Sequence, residues 1–187
     1  EALTDEARAR HGIEALFHAA PGPVAAGGRA SLAADEEAMP FAQAGLDLVF
    51  SNLSLHWIND LPGALTQIRQ ALRPDGLFLG AMLGGDTLIE LRRAFEIAEI
   101  EIEGGVSPRV SPFVDVRDAG ALLQRAGFAL PVADVDTLRV SYADIFALAH
   151  DVRGMGESNA VATRRTSFLR RDTLMRAAQA YRDQFVD

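Results

Sequence analysis

The sequence contains neither cysteine nor lysine, and both absences narrow the chemistry that the chain can perform. Without cysteine there is no disulfide, no thiolate nucleophile and no cysteine ligand for zinc or an iron–sulfur cluster. Because all 18 basic residues are arginine, a Schiff-base lysine, a pyridoxal phosphate anchor and a Walker A lysine are excluded as well. The four histidines, at positions 11, 18, 56 and 150, are too scattered to predict a metal site.

Positive charge and long apolar runs are also scarce. The net charge of −8 at pH 7 disfavours general nucleic-acid binding, because an acidic surface repels phosphate backbones. No apolar run approaches the ~20 residues of a membrane span, and no signal-peptide pattern follows Glu1. We expect a cytoplasmic location from the bacterial-like composition, or the mitochondrial matrix if the chain is eukaryotic. Nothing in the sequence indicates the oligomeric state.

The pattern of apolar residues predicts alternating strands and helices in a single domain over residues 1–187. A strand over 46–51, a helix over 61–72 and a strand over 77–83 form a crossover unit, so these two strands should be parallel. The other predicted strands cover residues 13–18, 30–34 and 128–140, and the other predicted helices cover 2–11, 87–103, 115–127, 142–150 and the C-terminal stripe. We expect an α/β fold, a three-layer sandwich over a Rossmann-like, mostly parallel sheet.

Three polar segments follow predicted strands of this sheet. They are residues 35–37, residues 52–57 and residues 84–86. Ligands of open α/β sheets bind outside the carboxyl ends of the strands, so these segments are the candidate site.

Four motifs around these segments resemble the middle motifs of class I S-adenosylmethionine (SAM)-dependent methyltransferases. They are residues 35–41 (DEEAMPF), 46–51 (LDLVFS), 55–57 (LHW) and 72–76 (LRPDG). The superfamily has an acidic residue, a turn, a strand and a proline–glycine turn in this order and at this spacing. The resemblance implies the class I fold and SAM as cofactor.

Four further motifs resemble a narrower branch. Residues 51–57, 84–88, 104–113 and 154–159 are similar to the mitochondrial complex I assembly factors that are methyltransferase-like, and to their bacterial relatives. The malonyl-carrier-protein methyltransferases are more distantly similar. This resemblance runs from about residue 12 to the last residue.

The resemblance implies four cofactor-binding residues. Asp35 would accept a hydrogen bond from the adenine amino group, and Glu36 would place its backbone beside the ring. Ser51 and Asn52 would face the methionine part of SAM. The alternative for Asp35 is a cap at the end of a strand.

The resemblance also implies residues near the transferred methyl group. His56 and Trp57 would form a wall beside it and are the catalytic candidates; the alternative is a packed structural pair. Arg109 would bind an acidic group of the substrate, since a guanidinium suits a carboxylate. The alternative for Arg109 is that it pins its own loop.

Two features of the superfamily are missing. No Gly-x-Gly loop follows a strand in the first 40 residues, and Ala19-Ala20 stand where an acidic residue would bind the ribose hydroxyls. The superfamily also continues into a final strand that this chain does not reach. We therefore expect a domain that is incomplete at both ends and lacks its first strand and glycine-rich loop; the alternative is a degenerate domain that has lost SAM.

Three functions follow from these observations. The first is SAM-dependent methyl transfer to a small molecule or a protein side chain, a reaction that depends mainly on alignment of the reactants. The second is a non-catalytic assembly factor for a respiratory complex, which Ala19-Ala20 favour. The third is protein arginine hydroxylation, for which the sequence contains no recognisable iron site.

Overall fold

The computed structural model describes residues 15, 18–20, 31–157, 159, 164–165 and 167–185. Its backbone divides into two compact units, which comprise residues 1–81 with 122–129 and residues 82–121 with 130–187. The single domain over residues 1–187 stays a prediction. The predicted helix over 2–11 and most of the predicted strand over 13–18 lie outside the described residues.

The described residues of the first unit form four strands in two parallel pairs. β1 (His18–Ala20) pairs with β2 (Ser31–Ala33), and β3 (Leu46–Asn52) pairs with β4 (Leu72–Ala81). The predicted parallel arrangement of an α/β fold is therefore present. In the described part of the chain the strands form two separate sheets, not one continuous sheet. β4 also ends two residues before the predicted end at Leu83.

The crossover between β3 and β4 is helix α1 (Leu61–Ala71), as predicted. Asp60 caps it, because its Oδ1 accepts a hydrogen bond of 2.9 Å from the backbone N–H of Gly63. The apolar stripe that contains Leu61, Leu65 and Ile68 is buried, and α1 packs against β4. Burial of this stripe holds the helix on the sheet, since three large aliphatic side chains contribute roughly 1.5–3 kcal/mol each.

The predicted turn over residues 73–76 bulges out of the ladder between β3 and β4. In this turn Asp75 adopts a positive φ, at 64°, and Gly76 does not. Glycine is needed at position 76 for space: a Cβ there would lie 3.0 Å from the carbonyl oxygen of Arg73. Asp can occupy the left-handed region more easily than most residues, which explains the exchange of roles.

The second unit is mainly helical. It contains α2 (Ile89–Glu103), most of α3 (Val116–Arg125), α4 (Ile145–Gly154) and α5 (Arg171–Phe185). Helices α2, α4 and α5 share a core rich in alanine, which lets α2 and α5 approach closely. The buried members of this core are Ala94, Ala98, Ile145, Leu148, Ala177, Ala178, Ala180 and Tyr181. None of the helices in the described ranges is long and apolar enough to cross a membrane.

The start of α2 differs from its prediction. Thr87 and Glu90 have the spacing of a capping box, but the residue that precedes the helix is Leu88, and no side chain caps it. Leu88 has a φ of 55°, whereas a capping residue adopts an extended backbone. The spacing of Thr87 and Glu90 therefore does not produce a capping box in the structure.

Both ends of α3 are as predicted. The N–H of Arg117 donates to Asp115 Oδ1 at 2.8 Å, and Gly127 ends the turn after the helix with a φ of 86°. The N–H of Phe128 then bonds back to the carbonyl of Leu123 at 3.2 Å. These contacts fix the chain direction after the helix.

The predicted strand over residues 128–140 is wrong. These residues carry no ladder to another strand, and Leu130, Val132 and Leu138 are almost fully exposed. The apolar, β-branched pattern is typical of a strand, but a strand forms only where a second backbone satisfies its N–H and C=O groups.

Candidate functional site

The turn after β2 carries the first predicted cofactor residues. Asp35 Oδ1 accepts a hydrogen bond of 2.9 Å from the N–H of Glu37, and Asp35 forms an isolated antiparallel bridge with Ala38. The side chain of Asp35 is exposed, and that of Glu36 is half-buried. The Asp35 carboxylate is thus held at the surface, within a short turn that directs it.

Helix α1 and the residues just before it hold this turn through the side chains of Glu37 and Gln67, which were not among the predicted site residues. Glu37 Oε1 accepts hydrogen bonds from the N–H and Nδ2 of Asn59, at 2.7 and 3.1 Å. Gln67 donates from Nε2 to the carbonyl of Glu37 at 2.8 Å, and its Oε1 accepts from the N–H of Met39 at 2.9 Å. The backbone N–H of Asn59 contributes most to holding the pKa of Glu37 below its ordinary value.

The carboxyl ends of β3 and β4 lie side by side. Asn52 is paired with Ala81, and the N–H of Leu53 donates to the carbonyl of Ala81 at 2.8 Å. The hydroxyls of Ser51 and Ser54 are 2.9 Å apart and hydrogen-bonded. Asn52 is exposed, so its amide is available at the strand end. The predicted pair of residues, Ser51 and Asn52, therefore stands at one sheet edge.

His56 and Trp57 lie in a short 3-10 helix (Leu55–Trp57) that follows this edge. Their ring centroids are 5.4 Å apart and the rings are tilted by 40°. The 3-10 helix approaches β4 closely because position 80 is glycine: a Cβ there would lie 3.1 Å from Leu55 Cδ1. Trp57 keeps 38% of its surface exposed, which suits a wall of a cleft better than a core residue.

Arg109 lies in the second unit, where Glu99 of α2 binds it. Its Nε donates to Glu99 Oε1 at 2.6 Å, and Ser107 donates to the same carboxylate from its backbone N–H and its hydroxyl, at 2.6 and 2.7 Å. Burial alone would raise the pKa of Glu99, but the bonds from Ser107 and Arg109 outweigh it, and the pKa lies below its ordinary value. Arg109 thus pins its own loop, and its role toward a substrate stays a prediction.

The residues present fit part of SAM. A carboxylate acceptor at Asp35 and polar groups at Ser51 and Asn52 suit the adenine and methionine ends. The carboxyl end of β1 has Ala19-Ala20, which supply no acceptor for the ribose hydroxyls. Within the described ranges, no group of three or more His, Cys, Asp or Glu residues is placed to hold a metal ion.

Glu37, Gln67 and Asn59 were missed because their role is not local. Glu37 is 22 residues from Asn59 and 30 from Gln67 in sequence. The signal in the sequence was the run of three acidic residues, 35–37, which does not indicate which carboxylate bonds to other segments of the protein.

Comparisons with known proteins bear on the fold and on the sequence resemblance. The sequence pattern of a family described as a methyltransferase domain matches residues 15–80. The structure aligns with a chain from the solved complex of the Haloferax volcanii Trm112 methyltransferase activator with a protein described as a methyltransferase. The TM-score is 0.50 at 17% identity, over 67% of this chain and 56% of that chain. The likeness concerns the fold, which is that of the class I methyltransferases, as predicted.

Relatives of higher identity narrow the resemblance. The chain is 54% identical over 155 residues to the human protein named arginine-hydroxylase NDUFAF5, mitochondrial. This match covers 83% of this chain and 45% of that protein. It is 42% identical over 147 residues to the malonyl-[acyl-carrier protein] O-methyltransferase of Xylella fastidiosa (strain M23), over 79% of this chain and 48% of that protein. The chain spans about half the length of these relatives. The predicted resemblance to class I methyltransferases and to this branch is confirmed.

Proposed function

We propose that this chain is the SAM-binding part of a methyltransferase that acts on a small molecule or a protein side chain. The observation that supports it is the pair of adjacent strand ends at Asn52 and Ala81, together with the Asp35 turn fastened to the helix between those strands. This is where open α/β sheets bind ligands.

The residues of the site perform recognition and alignment. SAM, when bound, supplies a methyl group for transfer to a nucleophile. Asp35 accepts a hydrogen bond from the adenine amino group, while Ser51 and Asn52 face the methionine part of SAM. His56 and Trp57 exclude water on the side of the transferred methyl group. Alignment of the reactants within ~3–3.5 Å can supply much of the rate enhancement without an acid–base residue.

The substrate, partner and location are proposed from the relatives. One relative is named for a malonyl-carrier-protein substrate, which contains a carboxylate. Arg109 is the candidate for such a group, through the guanidinium nitrogens that Glu99 does not use. We propose the cytoplasm if the protein is bacterial and the mitochondrial matrix if it is eukaryotic, as one relative is named mitochondrial.

Substitution of Asp35 with alanine tests this function. We expect S-adenosylhomocysteine (SAH) to bind the full-length protein with micromolar affinity, and Asp35→Ala to weaken it by about 10- to 100-fold, because a hydrogen bond to a charged acceptor contributes about 1.5–3 kcal/mol. Titration calorimetry measures both values. Asp47→Ala is the control, since Asp47 is an exposed acid of the same unit that pairs with Arg73, at 2.6 Å, away from the Asp35 turn.

The same titration separates the alternatives. Equal affinity in Asp35→Ala and Asp47→Ala removes Asp35 from the site. A wild-type protein that gives neither heat nor a thermal shift with SAH favours the non-catalytic assembly factor, which the missing ribose acceptor at Ala19-Ala20 supports. Arginine hydroxylation is the third candidate, on the strength of a relative named for that activity.

A further inference from the structure

The Glu37 carboxylate lies beside the residues that lead into the N-terminal end of α1. Besides its two bonds to Asn59, its Oε1 accepts a longer bond of 3.4 Å from the N–H of Asp60, the residue that caps the helix. A carboxylate is favoured at this position because the helix end carries partial positive charge. One oxygen therefore collects three donors from the segment that joins the 3-10 helix to α1.

Gln67 holds the same turn from two turns further along α1. Its amide donates to the carbonyl of Glu37 and accepts from the N–H of Met39. These two backbone groups lie on either side of Ala38, and the amide bonds them in the way that a neighbouring strand would. The turn at residues 35–39 is thus bound to α1 by the bidentate amide contact of Gln67 and to the residues before α1 by the charged contact of Glu37. Asp35 and Glu36 lie within two residues of the Glu37 contact.

We propose that Glu37 is a positioning residue, which holds Asp35 and Glu36 in the geometry that the adenine end of the cofactor requires. This inference rests on the proposed function. The Asp35 carboxylate is exposed and, among the described residues, accepts a hydrogen bond from within its own turn, so contacts from Asn59 and Gln67 are what tie the turn to its surroundings. A turn that is already ordered loses less conformational entropy when the ligand binds, which strengthens binding without any new contact.

The contact has a second consequence for the site. The 3-10 helix with His56 and Trp57 precedes Asn59 by two residues, so Glu37 connects the adenine side of the site to the wall beside the methyl group. Gln67 bonds the adenine side to α1, whose stripe is buried against the sheet. The hydrogen bond between Glu37 and Asn59 joins two segments that are 22 residues apart in sequence.

The test compares Glu37→Ala with Glu37→Gln in the full-length protein. A glutamine Oε1 can still accept from Asn59, so Glu37→Gln should bind SAH within about threefold of the wild type, whereas Glu37→Ala should bind about tenfold more weakly. Hydrogen exchange without ligand should be faster in Glu37→Ala at the amides of residues 37–39 and 59. Asp47→Ala, which removes an exposed acid elsewhere in the unit, should change neither quantity.

The outcomes distinguish this inference from the function on which it rests. Wild-type-like SAH affinity in Glu37→Gln together with weaker affinity in Glu37→Ala supports a positioning role. The two variants should have equal unfolding midpoints, so that the difference in affinity does not come from a loss of overall stability. Wild-type binding together with unchanged affinity or unchanged exchange in Glu37→Ala overturns the inference alone. Absence of SAH binding in the wild type overturns the proposed function, and this inference with it.

Discussion

Replacement of Glu99 by alanine is expected to lower the free energy of unfolding of the helical unit by about 3 kcal/mol, since it leaves a half-buried guanidinium without its counter-ion. Glu99 is 1% exposed, and its carboxylate accepts from the N–H and hydroxyl of Ser107 and from Arg109 Nε. Chemical denaturation followed by circular dichroism measures the loss. In thermal melts it corresponds to a shift of roughly 6–12 °C.

Glu101 offers a matched control on the same helix. It forms a bidentate pair with Arg176, at 2.5 and 2.7 Å, but 49% of its side chain is exposed. Exposed pairs contribute about 0–1 kcal/mol, so Glu101→Ala should cost much less than Glu99→Ala. Equal losses of unfolding free energy in the two variants would contradict the inference that Glu99 is the buried acceptor that holds the loop with Ser107 and Arg109.

The contribution of Glu99 to stability should depend on pH. The folded-state pKa of Glu99 is below its ordinary value of 4.5. Its contribution is therefore fully present above pH 4.5 and is lost as the pH falls through the lowered folded value. The difference in stability between wild type and Glu99→Ala should shrink over that acidic range.

Introduction of a carboxylate at the carboxyl end of β1 is expected to strengthen cofactor binding. Ala20→Asp supplies the ribose acceptor that Ala19-Ala20 lack, and SAH should bind about tenfold more tightly, which is about 1.4 kcal/mol. Titration calorimetry on the full-length variant measures the gain. A gain would also show that the crevice can still take the nucleoside.

Ala19→Asp is the control for this gain of function. Consecutive residues of a strand project to opposite faces, so acids at the two positions should not both reach the same hydroxyls. A gain in neither variant, or an equal gain in both, would count against a ribose site at the end of β1. The degenerate, non-catalytic alternative would then be favoured.

Local structure could be predicted from the sequence because its causes are local. The stripe of Leu61, Leu65 and Ile68 predicts α1, and Asp115 and Gly127 predict the limits of α3. The parallel pairing of β3 and β4 follows from the intervening helix, since crossover units obey a general rule of handedness and direction.

Features that depend on distant contacts could not be predicted. The segment 128–140 has the apolar pattern of a strand. Whether it forms one depends on a second backbone beside it, and the sequence of the segment does not reveal whether that backbone is present. The roles of Glu37 and Glu99 depend on donors from other segments, at Asn59 and at Ser107 with Arg109. An acidic residue in an acidic run gives no sign of which donors it will meet.

The candidate site was predicted in part. The positions of Asp35, Ser51 and Asn52 at strand ends follow from the order of motifs, and the structure places Ser51 and Asn52 at the end of β3 beside β4. The fastening of the Asp35 turn to α1 was not foreseen, because it requires Gln67 and Glu37 to meet across the crossover.

A nuclear magnetic resonance titration with SAH tests the central claim most directly. If the strand ends form one nucleoside crevice, the backbone amides of Asp35, Glu36, Ser51 and Asn52 should shift together and saturate at one dissociation constant. Shifts confined to other segments, or none at saturating SAH, would contradict the account.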